Sequence, residues 1–162
     1  EGQFITFAKN NKSDMLQRIQ TVYLVIAVVL LSMLYRFPLA DISTGSEIFQ
    51  FSINGIFKGS EMVFNGLPLI AFLSLIILLH VFVIFMYKKR IRQMRVLGFT
   101  IILLLGLFGL FFYFAYAGFK GATVSFKIPV AFPVIAAILD YLSIRDIGKD
   151  EALVRSVDRL RP

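Results

Sequence analysis

Four apolar stretches, each free or nearly free of charge and long enough to cross a bilayer, constrain this chain more than any other feature. Ile19 to Tyr35 and Val96 to Ala117 hold no charged side chain, Leu67 to Tyr87 holds only the titratable His80, and Ile128 to Ile144 holds only Asp140. A helix of about 20 mainly apolar residues crosses a hydrocarbon core of about 30 Å while satisfying its own backbone hydrogen bonds. Soluble helices would instead carry an apolar stripe opposite a polar face. The expected fold is therefore an all-α membrane class: a four-transmembrane-helix bundle with spans at about 17–37, 67–87, 96–117 and 128–147.

Orientation follows from the 17 lysines and arginines. Lys9, Lys12 and Arg18 precede the first span, Lys88, Lys89, Arg90, Arg92 and Arg95 join the second to the third, and Arg145, Lys149, Arg155, Arg159 and Arg161 follow the fourth. Only Arg36, Lys58, Lys120 and Lys127 fall on the other side. The positive-inside rule then puts both termini and the basic loop 88–95 in the cytoplasm, where that loop meets anionic head groups. The net charge of +7 is thus a topology signal. Nucleic acid is disfavoured as a partner, because Asp146, Asp150, Glu151 and Asp158 are interleaved with the basic residues of the tail. Tyr23, Tyr35, Tyr87, Tyr113 and Tyr116 near the span ends read as interfacial anchors.

Outside the spans, residues 48–57 form a β-prone run with an Asn54-Gly55 turn signal, and residues 123–128 alternate apolar and polar before Pro129. Both loops lie on one side, which predicts a small β cap on the external end of the bundle. After Gly148, a short C-terminal cytoplasmic amphipathic helix is expected at about 150–161, with acidic residues first and Arg159 and Arg161 last. Leu153, Val157 and Leu160 share one face of it and form a candidate partner-docking surface. The small residues Gly98, Gly106 and Gly109 on the third span, and Ala131, Ala136 and Ala137 on the fourth, predict close helix packing within the bundle.

The segment Met15-Leu16-Gln17-Arg18-Ile19-Gln20-Thr21-Val22-Tyr23-Leu24 and the ending Lys149-Asp150-Glu151-Ala152-Leu153-Val154-Arg155-Ser156-Val157-Asp158-Arg159-Leu160-Arg161 resemble the two ends of a Bacteroidota membrane-protein family known as the domain of unknown function 4293 family. The resemblance covers residues 15–161 and implies a four-span protein of the inner membrane of a Gram-negative envelope, multi-pass with both termini cytoplasmic. It brings no activity, cofactor or catalytic residue. Residues 1–14 depart from the pattern and are set apart as an N-terminal extension.

Ionisable groups at mid-membrane cost about 2.5–3.5 kcal/mol each on insertion scales, which makes His80 and Asp140 the candidate intramembrane polar pair. Each precedes the cytoplasmic end of its span by a similar number of residues, so the two are expected at equal depth. The chain has no cysteine, which removes thiolate metal sites and thiol nucleophiles, and no third ligand accompanies the pair. No catalytic, cofactor-binding or metal set is expected. The functional expectation is a non-catalytic accessory or scaffold subunit of a larger membrane-protein complex, for envelope biogenesis or protein translocation, partnered by other integral membrane proteins. The alternative is a small transporter or ion-conducting oligomer using His80 and Asp140, with an intramembrane enzyme last.

Overall fold

The computed structural model describes residues 19–45, 47–87, 89–119 and 121–158, with the side chains of 153–155, 157 and 158 outside that description. Its first helix, α1, spans Ile19–Met33. Four strands follow: β1 (Ala40–Thr44), β2 (Glu47–Ser52), β3 (Gly55–Lys58) and β4 (Glu61–Asn65). Then come α2 (Leu67–Phe85), α3 (Arg90–Ala117), β5 (Thr123–Phe126), a single 3-10 turn at Ile128–Ala131, and α4 (Phe132–Asp158). By length and composition, Leu67–Phe85, Arg90–Ala117 and Ile128–Ala152 qualify as membrane-crossing helices, and α1 is a shorter apolar helix.

This corrects the expected all-α four-helix bundle. The loops outside the helices form one five-stranded antiparallel sheet in the order β4-β3-β2-β1-β5, so the molecule combines a helical part with a substantial β part. The expected separate C-terminal helix is also corrected. α4 runs unbroken for 27 residues through Gly148, because one glycine inside a helix costs only about 1 kcal/mol relative to alanine and does not stop it.

The sheet exists to cover one end of α3. At 1.5 Å per residue its 28 residues measure about 42 Å, some 12 Å more than a hydrocarbon core requires. The surplus falls at its basic start, Arg90 to Arg95; the opposite end carries Phe111, Phe112 and Phe114, which successive steps of about 100° distribute around the helix. β2 meets one side, with Phe51 edge-on to Phe111 at 6.4 Å and Phe49 on Phe119 at 4.9 Å. β5 takes the next, with Phe126 at 4.9 Å from Phe112, and β4 the third, with Phe64 at 4.9 Å from Phe114. The sheet therefore curves around α3 and buries Ala40, Ile42, Phe51 and Ile56 against the helix ends.

Local chemistry anchors the sheet to the helices. Leu39 and Lys127 close the ladders of β1 through Leu39 N–H to the Phe51 carbonyl (2.7 Å) and Lys127 N–H to the Leu39 carbonyl (2.8 Å). The Lys127 ammonium then pairs with Asp41 at 2.7 Å. The β2–β3 hairpin turns at Ile53 and Asn54 and continues into Gly55 at φ +141°, a left-handed conformation that favours glycine. Its Asn54 carbonyl accepts the Gly66 N–H at 3.0 Å, and Asn65 Oδ1 accepts the Leu67 N–H at the start of α2, also at 3.0 Å. A Cβ on Gly66 would collide with backbone atoms of Ile53, Asn54 and Gly55.

Gly66→Ala should therefore lower stability by about 1–3 kcal/mol or more, since backbone atoms of a paired turn cannot retreat as a side-chain tip can. Gly98→Ala, where an added Cβ meets nothing within 4 Å, should leave stability unchanged or raise it by up to about 1 kcal/mol. Thermal unfolding in mild detergent reads both, and equal effects would contradict the hairpin-on-helix contact.

Candidate functional site: a polar clasp inside the helices

Buried residues recur along each helix at steps of three and four, alternating except at the last step of α3. They are Gln20, Leu24, Ala27, Leu31 and Leu34 along α1 and its closing turn, and Leu69, Leu73, Ile76, His80 and Val83 on α2. On α3 they are Gln93, Leu97, Thr100, Leu104, Leu107, Phe111 and Ala115, and on α4 Ala136, Asp140, Ser143, Ile147 and Asp150. This 3.5-residue average keeps one seam facing inward along neighbouring helices. Polar residues occupy seam positions at discrete levels, one of them within the apolar core. The apolar core is accordingly split into a large outer cluster containing Ala27, Ile76, Leu104 and Ala137 and a small inner one of Leu24, Val83, Leu97 and Ile147. His80, Thr100, Asp140 and Ser143 lie between them in sequence on α2, α3 and α4.

His80 and Asp140 are brought together, each fully buried, with Nε2 to Oδ1 at 3.0 Å. The other ring nitrogen, Nδ1, lies 2.9 Å from the Ile76 carbonyl one turn back. A carbonyl only accepts, so Nδ1 carries a proton. One further proton then lies between Nε2 and Oδ1, and the pair is neutral as a unit whichever atom holds it. Thr100, which the sequence reading did not single out, supplies the third side. Its hydroxyl stands 3.0 Å from Asp140 Oδ2 and 2.8 Å from the Leu97 carbonyl, so its single proton is offered to both acceptors. Both carboxyl oxygens are thus partnered, by two different helices. A threonine at a seam position facing an aspartate was a signal in principle, but hydropathy gives a lone hydroxyl almost no weight.

Toward the inner end, Gln93 donates to the Val83 carbonyl at 3.3 Å, and Arg90 pairs with the buried Asp150 at 2.7 Å. The basic loop is therefore tied to α4 through Arg90, whereas Lys89, Arg92 and Arg95 are exposed; Lys88 lies outside the described residues. Ser143 Oγ and Gln20 Nε2 are buried without a hydrogen-bond partner among the described residues. Of the proposed docking face, the side chains of Leu153 and Val157, and all of Leu160, fall outside them as well. Among the described residues no third metal-ligating side chain joins His80 and Asp140. The glycines of α3 do not mediate the expected close packing: around Gly98 and Gly109 an added Cβ meets nothing within 4 Å, and at Gly106 only the Phe72 ring, at 3.8 Å.

Three helices long and apolar enough to span a bilayer, joined by a buried polar clasp and carrying a sheet at one end, mark a membrane protein. A family profile, the domain of unknown function DUF4293, matches residues 16–160, and the chain belongs to that family. No curated protein matches it.

Removing one member of a buried charged pair strands the other. Asp140→Ala or His80→Ala should cost about 3–5 kcal/mol, while the double replacement His80→Leu, Asp140→Leu should cost much less than the sum. Thr100→Val should cost about 0.6–1.7 kcal/mol, the range for side-chain hydrogen bonds between membrane helices. Unfolding in mixed micelles measures all four variants, and strictly additive losses for His80 and Asp140 would contradict direct pairing.

Proposed function

We propose that this protein is a non-catalytic accessory or scaffold subunit of a larger membrane-protein assembly, serving envelope biogenesis or protein translocation. The observation that carries this reading is the closure of the helix interior. The His80–Thr100–Asp140 groups satisfy one another, and outward of them the seam is filled by Leu31, Leu34, Leu69, Leu73, Ile76, Leu104, Leu107 and Phe111, all fully buried. A polar group so enclosed holds helices in register and offers no path for a solute. What the molecule presents instead is surface. Ile48, Met62 and Val63 are exposed at 66%, 56% and 54% on β2 and β4 of the sheet, while Phe49, Phe51 and Phe64 of the same strands turn toward the helix ends. Apolar exposure of this kind on an extramembrane element supports association with other integral membrane proteins. The face that the sequence expects from Leu153, Val157 and Leu160 would add a second docking surface.

In this reading the protein lies in the inner membrane of a Gram-negative, Bacteroidota envelope, which the resemblance of its two ends supports. α1 crosses together with the three longer helices, so that both termini and residues 88–95 are cytoplasmic and the sheet is external. Exposed Lys89, Arg92 and Arg95 then meet anionic head groups, at about 1 kcal/mol per basic residue. The transporter alternative rests on the partnerless Ser143 hydroxyl beside the clasp and requires the filled outer seam to open.

The absence of cysteine makes topology directly measurable. Glu61→Cys should react with an impermeant maleimide from outside intact spheroplasts, and Arg92→Cys only after lysis; labelling of both from one side contradicts the orientation. Co-purification distinguishes the functional readings. The Leu153→Asp, Val157→Asp, Leu160→Asp variant should lose one defined set of membrane partners while remaining inserted, whereas the transporter alternative expects His80→Ala to abolish a flux in proteoliposomes.

A further inference from the structure

The sheet that encloses the outer end of α3 leaves one side of that helix open, and a cavity lies there. Its volume is about 370 Å³, and its walls come from Ile56 and Phe64 of the β3–β4 hairpin and from Phe114, Ala117 and Phe119 at the helix end. Tyr113, 64% exposed, stands at its mouth. The lining is apolar, with aromatic rings on two walls.

The occupant is indicated by what continues the cavity downward. Ile102, Gly106, Gly109 and Tyr113 follow one another at steps of three and four along α3, all exposed, and so form its lipid-facing line. The two glycines give that line a shallow channel, open at Gly109, where nothing lies within 4 Å of an added Cβ. About 20 residues beyond Arg95, the last charged residue of α3, the helix reaches the outer hydrocarbon boundary near Ala115. The cavity therefore begins at the depth of the boundary, at the end of a groove that is exposed along the helix and flanked at Gly106 by the Phe72 ring of α2. An extended apolar chain lying in that groove runs into the cavity without leaving an apolar surface.

We propose that the groove of Gly106 and Gly109 and the cavity beneath the β3–β4 hairpin bind one acyl chain of an outer-leaflet phospholipid. The lipid fills a gap between sheet and helix and thereby couples the external sheet to the bilayer. A water-soluble peptide is the competing occupant, and it would reach the cavity from the sheet side instead.

The full-length protein reconstituted into vesicles of phosphatidylethanolamine and phosphatidylglycerol, extracted in mild detergent and measured by native mass spectrometry, is expected to retain one phospholipid per chain. Ala117→Leu, Gly118→Leu fills the cavity at positions where space exists, since nothing lies within 4 Å of a Cβ on Gly118. That variant should lose the lipid adduct with little change in melting temperature. Should it fail to fold, a second measurement stands alone. The chain has no tryptophan, so Phe119→Trp reports on the cavity without background. In vesicles of phospholipid brominated on the acyl chain its fluorescence should be quenched as strongly as that of Leu78→Trp on the exposed side of α2. A folded filled variant that keeps the adduct, or a Phe119→Trp signal that bromine leaves unquenched, overturns the proposal and directs attention to a peptide.

Discussion

The arrangement depends on one constraint: Asp140 is buried within a helix that spans apolar surroundings. An isolated carboxylate there would cost several kcal/mol and must be neutralised or partnered. Here both oxygens are met, one by His80 of α2 and one by Thr100 of α3. Because these contacts are short and directional, a displacement of any one helix by a single residue, about 1.5 Å along and 100° around its axis, breaks them. The clasp thus fixes axial position and rotation together. Dispersion between apolar helices cannot do so, since lipid tails offer equally good contacts and Leu against Leu is much the same one turn higher.

With that level set, the rest of the seam follows. Inward of the clasp, Leu24, Val83, Leu97 and Ile147 close the interior before the next polar contacts, Gln93 on the Val83 carbonyl and Arg90 on Asp150. Outward, leucines and isoleucines fill the core as far as the point where Phe111 meets Phe51 of the sheet. Polar contacts therefore occur at discrete levels, separated by apolar layers that let each act in a low-dielectric setting.

The sheet answers a different need. The end of α3 that meets the sheet is rich in phenylalanine, and an all-helical design would leave those rings without partners at the edge of the apolar layer. The two outer loops cover them by pairing β1 with both β2 and β5. The close seat of the β2–β3 hairpin on Gly66 holds this cover to α2, and Asn54 Nδ2, donating to the Tyr35 carbonyl at 3.4 Å, ties it to the end of α1, which the Tyr35 hydroxyl in turn joins to Ser74 Oγ of α2 at 2.7 Å. A fold expected to be a helical bundle with only a small β cap thereby becomes a helical part and a five-stranded β part that share one core.

By itself the sequence marked four apolar stretches, of which three become helices long and apolar enough to cross a membrane and the first a shorter apolar helix, and it named the two ionisable residues within them. These follow from transfer free energies and charge placement, which are properties of segments. It also marked the strand-forming runs and the Asn54-Gly55 turn, which are local signals. It could not show the seam, because the lipid-facing and core-facing sides of α2 and α3 are equally apolar and leave no amphipathic trace. It could not show Thr100 as the third partner of the clasp, or the rings that draw five strands around one helix end. Those depend on which surfaces of separate elements face each other, and only the tertiary structure decided that, through directional hydrogen bonds and the need to cover Phe111, Phe112 and Phe114.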